Sequence, residues 1–195
     1  MITTLISVLA LTAAPIPGEA APAFSEASAQ GQVVTLDQFR GRTVVLEWTN
    51  DGCPFVQKHY NSNSMQALQR RAAAEDVVWI QVISSAPGKQ GHADAERALA
   101  LNEARGAEPA FTLLDEDGSM GIAYGARTTP HMYVIDGDGV LKYNGAIDTI
   151  PTANQADLEN AQNYVSAALS QLSRGGEVVT PVSRPYGCSI KYADS

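Results

Sequence analysis

Thr43-Val44-Val45-Leu46-Glu47-Trp48-Thr49-Asn50-Asp51-Gly52-Cys53-Pro54-Phe55-Val56 is the stretch on which the reading of this chain turns. Its first six residues are β-branched and almost continuously apolar, as a central strand should be. Asn50, Asp51 and Gly52 supply turn chemistry, and Pro54 suits the first position of a helix, where a missing N–H is no loss. Cys53 is thereby set at the helix N-cap. Unpaired backbone N–H groups and the positive end of the helix dipole favour thiolate over thiol there, so the sulfur is expected to be reactive. The plainer alternative is a buried, inert cysteine.

Outward from this stretch, the helix beginning at Pro54 is expected to run towards residue 74, with 61–64 interrupting or straining it. Residues 77–83 read as a second buried strand, 93–105 as a helix and 111–114 as a further short strand. Residues 132–135 and 140–143 flank Asp136-Gly137-Asp138-Gly139, and Asp-Gly between apolar runs signals a β-hairpin. A final helix is expected over 157–172, followed by a proline-containing tail, 178–195, that carries Cys188. The short apolar stretch 33–36 precedes all of these. Strand, helix, strand, helix, hairpin and helix is an α/β element order.

A chain of 195 residues with 45% hydrophobic and 17% charged residues has the size and composition of one globular domain. Its formal charge of -8 repels phosphate backbones, which argues against a nucleic-acid partner. Residues 1–14 are uncharged and apolar and end in small residues, the pattern of a signal peptide, and about 13 apolar residues are too few to span a bilayer. Export to the periplasm or outside the cell is therefore expected, with residues 15–195 as the single domain and no stable membrane insertion. A cytoplasmic protein with an apolar N-terminal segment is the alternative. The two cysteines, Cys53 and Cys188, lie far apart in sequence and form no CxxC pair.

Strand, turn, Cys-Pro and helix is how thioredoxin-fold oxidoreductases present their nucleophile. The chain resembles the redoxin branch of that superfamily, and most closely the peroxiredoxin-like (AhpC/TSA-related) proteins that retain only the first cysteine of CxxC. The likeness covers roughly residues 17–192. It rests on Gly18-Glu19-Ala20-Ala21-Pro22-Ala23-Phe24, on residues 36–46, and on Thr129-Pro130, which looks like the cis-proline loop. Cys53-Pro54-Phe55-Val56-Gln57-Lys58-His59-Tyr60 and Gly187-Cys188-Ser189-Ile190-Lys191 look like signatures of the subgroup. The resemblance implies a thioredoxin-like fold with a central mixed β-sheet flanked by helices and a C-terminal tail carrying the second cysteine. It also implies a thiol-based oxidoreductase acting on a protein disulfide or a peroxide, with Cys53 as nucleophile, no cofactor, no metal, and an external thiol or thioredoxin-type reductant.

Val56 stands where a thioredoxin has its second cysteine, so another thiol must resolve an oxidised Cys53, and Cys188 is proposed for that role. A bridge between the two would close a loop worth about 4–5 kcal/mol in the chain-entropy model. Thr49, Asn50, Pro54, Thr129 and Pro130 are the expected substrate-positioning residues. Peroxiredoxins carry Thr or Ser three residues before the cysteine and Pro seven before it, where this chain has Asn50 and Leu46, and usually Arg about where Pro130 lies. Efficient peroxide reduction therefore does not follow. At about 100° per residue, Val56, Gln57 and Tyr60 share the face of Cys53, whereas His59 points elsewhere and reads as a surface or packing residue. Two alternatives stand beside the enzyme: a non-catalytic binding module with a structural Cys53–Cys188 bridge, and copper delivery through Cys53, His131 and Met132. Asp115-Glu116-Asp117-Gly118 and Asp136-Gly137-Asp138-Gly139 read as turns, because neither has Glu at the twelfth calcium-loop position.

Overall fold

The computed structural model of the protein describes residues 14–193; the expected signal peptide, apart from Ala14, lies outside them. The strands are β1 (Ser25–Ala27), β2 (Val33–Thr35), β3 (Val44–Trp48), β4 (Val78–Ile83), β5 (Phe111–Leu114), β6 (Thr128–Thr129), β7 (His131–Ile135), β8 (Leu141–Gly145) and β9 (Cys188–Ser189). The helices are α1 (Pro54–Asn61), α2 (Ser64–Ala74), α3 (Ala95–Ala104), α4 (Ser119–Tyr124) and α5 (Tyr164–Leu172). Five strands form the central sheet in the order β5-β4-β3-β7-β8. β3, β4 and β5 run parallel, and β7 and β8 are antiparallel to their neighbours, which makes the sheet mixed.

Alternation along β3 divides the core. Val45 faces α1, α2 and α5 together with Val56, Tyr60, Met65, Leu68, Val165 and Leu169. Leu46 and Trp48 face the other side, where α4 contributes Met120 and Tyr124 and the chain's two ends contribute Phe24 and Ile190. The expected thioredoxin-like architecture is present, and among the described residues no helix is long and apolar enough to cross a membrane.

Several expected boundaries move for local reasons. The interruption expected at 61–64 is present: the stretch 54–74 is two helices, because Asn63 adopts a left-handed φ of 61° between α1 and α2, a conformation Asn tolerates better than most residues. The helix drawn over 157–172 starts only at Tyr164. Residues Gln155–Glu159 form a 3-10 turn instead, and the Asn163 side chain then accepts the Ser166 N–H at 2.8 Å and restarts the chain as α5. The helix drawn over 93–105 begins at Ala95, where the Asp94 carboxylate accepts the Arg97 N–H. α4 was not anticipated: it follows the acidic turn, and buried Asp115 accepts the Met120 and Gly121 N–H groups at 3.0 and 2.8 Å. The Asp-Gly hairpin forms as expected, with the Asp136 carboxylate accepting from Asp138 and Val140 and Gly139 at φ 76°.

Candidate thiol site

β3 ends by pointing the chain out of the sheet, and the turn that follows is held by Asn50. Its carbonyl accepts the Cys53 N–H at 3.1 Å and its side-chain oxygen the Gly52 N–H at 3.0 Å. The same amide exchanges two hydrogen bonds with Gln90, at 3.0 and 3.1 Å, so Asn50 braces the turn and Gln90 occupies its polar atoms. Thr49 is buried beside it, its N–H donating to Val82 O. Pro54 is the first residue of α1 and Cys53 is the N-cap, with extended φ and ψ of −85° and 118°.

Cys53 is fully buried, and its thiol donates to Thr129 O at 3.0 Å. Thr129-Pro130 is a cis peptide bond, as expected. Beside this loop lies the second cysteine: β9 pairs antiparallel with β6, with Cys188 opposite Thr129 and Ser189 opposite Thr128. Cys188 packs against the hydrophobic cluster that contains Cys53. Burial, and then the neighbouring Cys53, push the Cys188 thiol up to about 11. Both cysteines are free thiols.

Of the helix neighbours, Val56 and Tyr60 are buried and Gln57 is exposed. His59 takes the packing role, completely buried with Lys58 against Asp148. Lys58 Nζ donates to Asp148 Oδ2 at 3.1 Å and to Ile150 O at 3.0 Å, and the Tyr186 hydroxyl donates to Asp148 Oδ1. A second polar cluster lies behind α1. The buried Glu47 carboxylate accepts from Tyr60 Oη at 2.8 Å and Trp79 Nε1 at 2.8 Å, and burial raises its proton affinity above that of an ordinary carboxylate. Neither cluster was singled out from the sequence. The available signal was a charge at 47 inside an apolar strand and a lysine at 58 on a buried helix.

Cys53, His131 and Met132 do not converge on a metal position. His131 turns Nε2 to Asn144 Oδ1 at 2.9 Å and accepts the Arg127 N–H on Nδ1 at 3.3 Å, while Met132 faces the opposite side of the sheet. Among the described residues no three His, Cys, Asp or Glu side chains are grouped to hold an ion. Burial lowers His131 to about 4, only partly opposed by the Asn144 hydrogen bond. The folded-state value lies below the ordinary 6.5, so this stabilisation is complete above pH 6.5 and is lost as pH falls towards 4. Its size is on the order of 3 kcal/mol. His131→Gln is expected to reduce the slope of urea-derived stability against pH across that window, the remainder coming from His59, which burial also lowers to about 4. An unaltered slope counts against a neutral buried imidazole at 131.

The sheet, the capping cysteine and the cis-proline loop facing it define a thioredoxin-fold protein. Residues 16–162 match the model of the Redoxin family, and the chain belongs to that family. An uncharacterized conserved protein from Geobacillus kaustophilus is similar at 26% identity and a TM-score of 0.78, over 92% of this chain and 94% of that one. A hypothetical protein from Sinorhizobium meliloti 1021 is similar at 24% identity and a TM-score of 0.77, over 94% and 98%. A putative thiol:disulfide interchange protein DsbE from Chlorobium tepidum shares the fold at 21% identity and a TM-score of 0.55, over 67% and 85%.

Proposed function

We propose that the protein is an exported two-cysteine thiol oxidoreductase in which Cys53 is the nucleophile and Cys188 the resolving thiol. The observation that carries this reading is the placement of both cysteines on the Thr129 backbone. Cys53 donates to Thr129 O, Cys188 is paired with Thr129 across β6 and β9, and the two thiols are close enough to interact. With a disulfide, the Cys53 sulfur bonds to one substrate sulfur and the other leaves as a thiolate. Cys188 then gives up its proton and attacks the Cys53 sulfur, expelling the second thiolate. The substrate gains two electrons and the protein gains the Cys53–Cys188 bond. With a peroxide, Cys53 takes one oxygen and an alcohol or water leaves. Cys188 then releases that oxygen as water, forming the same bond. An external thiol or thioredoxin-type dithiol returns the bridge to two thiols. Pro54 fixes the helix start, and Thr49, Asn50, Thr129 and Pro130 shape the rim.

The reading is tested by adding one equivalent of hydroxyethyl disulfide or hydrogen peroxide to the reduced protein and mapping peptides without reductant. A Cys53–Cys188 cross-linked peptide is the expected product, and Cys53→Ser is expected to leave Cys188 unoxidised. Recovery of Cys53 as the thiol with both oxidants eliminates the enzyme and leaves a binding module.

A further inference from the structure

The tail is tied down on both sides of Cys188. Upstream, residues 181–183 run along β8: Asn144 N donates to Pro181 O at 3.0 Å, Ser183 N donates to Asn144 O at 3.1 Å, and Ser183 Oγ accepts the Ala146 N–H at 2.9 Å. Tyr186 is clasped next, its hydroxyl on Asp148 and its ring edge-on to Phe55 with centroids 5.7 Å apart. Downstream, Ile190 N donates to Arg127 O at 3.0 Å, Ala86 N to Lys191 O at 2.8 Å, and Tyr192 Oη to Ala126 O at 2.8 Å. Between these anchors the chain crosses directly over the cis-proline loop.

Gly187 makes the crossing possible. It has a φ of +132°, and a Cβ there would stand 2.0 Å from Thr129 O. Only a residue without a side chain lets the strap lie this close to the loop. The result is that β6, a two-residue strand with unpaired groups to offer, is already paired along its length by Cys188 and Ser189. An exposed strand edge is the natural docking site for an extended polypeptide. Here the protein's own chain fills that place.

We propose that residues 186–189 are a specificity-determining strap: by occupying the Thr128–Thr129 edge, they bar extended polypeptide disulfides from Cys53 and leave it to small oxidants. The proposal rests on the two-cysteine reading above and names its substrate class. A cleft of about 570 Å³ lies on the flank of the strap, lined by Thr128, Asp148, Tyr164, Arg184, Tyr186 and Gly187. It stops short of both cysteines, so a small disulfide or peroxide lodged there still has the strap between it and Cys53. Such a molecule needs only a local opening at Cys188. A polypeptide must lift residues 187–189 from Thr128 and Thr129 and take over their backbone hydrogen bonds. In either case the two electrons take the route given above, from the two thiols to the S–S bond of a disulfide or the O–O bond of a peroxide.

The test compares single-turnover oxidation of the reduced protein by hydroxyethyl disulfide and by insulin, quenched with acid and read by mass spectrometry. The wild-type protein is expected to react faster with the small disulfide. Gly187→Ala, which forces the strap away from Thr129, and Tyr186→Phe, which removes the clasp on Asp148, are each expected to raise the insulin-to-small-disulfide rate ratio about tenfold or more. Tyr186→Phe keeps the measurement meaningful if Gly187→Ala does not fold. An unchanged ratio in both variants, or insulin remaining unreactive in both while the small disulfide reacts, overturns the strap but leaves the two-cysteine reading standing. Inertness of wild-type Cys53 to both disulfides and to peroxide overturns the two-cysteine reading, and the strap falls with it.

Discussion

Cys188→Ser protein is expected to be oxidised once at Cys53 and then to stall. In the proposed mechanism the first chemical step uses the Cys53 sulfur, which the substitution leaves at the start of α1 against Thr129 O. The second step loses its nucleophile. In the wild-type protein that nucleophile sits opposite Thr129, beside the Cys53 sulfur, so after the strap has opened to admit substrate its re-docking returns Cys188 to the place of attack. Well-oriented intramolecular groups reach effective concentrations far above the millimolar level of an external thiol. Steady-state turnover is thus expected to fall at least about a hundredfold, whereas the burst of one oxidation per chain persists. Accumulation of sulfenic acid after peroxide, or of a mixed disulfide after hydroxyethyl disulfide, is the mass-spectrometric signature. Undiminished turnover in Cys188→Ser protein shows that an outside thiol reaches Cys53 unaided and removes the resolving role from Cys188. The high proton affinity of Cys188, pushed up to about 11 by burial and by Cys53, also predicts an order of events. Cys188 is a poor nucleophile while both thiols are reduced, so it acts second.

The second large effect lies beneath the strap. Removing the ammonium in Lys58→Met protein is expected to destabilise the fold by about 3–5 kcal/mol, the range for stripping one partner from a buried pair. Lys58 and Asp148 side chains are 0% and 1% exposed, so bulk solvent is poorly placed to replace the lost contact. Asp148 would keep the Tyr186 hydroxyl and the Ile150 N–H, which stabilise a carboxylate but do not neutralise it. Urea midpoints measure the loss. The double variant Lys58→Met/Asp148→Asn is expected to recover part of it, because it leaves no lone charge, and this non-additivity separates ion pairing from lost packing. A loss under about 1 kcal/mol in Lys58→Met protein would show the pair to be hydrated.

What was legible in the sequence was local. A β-branched run, a turn and a Cys-Pro step specify strand, N-cap and helix within fourteen residues, and Asp136-Gly137-Asp138-Gly139 specifies its own hairpin. The cis bond before Pro130 came from resemblance, since nothing in Thr129-Pro130 alone demands it. What escaped depends on long-range meetings. Asp148 is invisible as a partner of Lys58 until β8 and α1 are packed together, and Tyr186 joins them only because the tail returns along β8. The break at 61–64 was legible from its turn-forming residues, whereas the restart at Asn163 depends on its side chain finding the Ser166 N–H. Glu47 illustrates the limit in the other direction: its strand was placed correctly because the apolar run outweighed one acid. The acid's burial among Tyr60, Trp79 and Gln69 then needed three other elements to explain it.

The strap also has a consequence for biosynthesis. Polypeptides are made from the N-terminus, so the sheet, α1 with its capping thiol and the cis-proline loop all precede the segment 183–191 in the order of synthesis. Until that segment emerges and docks, a nascent chain holds Cys53 without its cover and the Thr128–Thr129 edge without its mate. An unpaired edge is an invitation to foreign strands. If the strap acts as proposed, its docking is the step that covers both the thiol and the strand edge, wherever the chain folds.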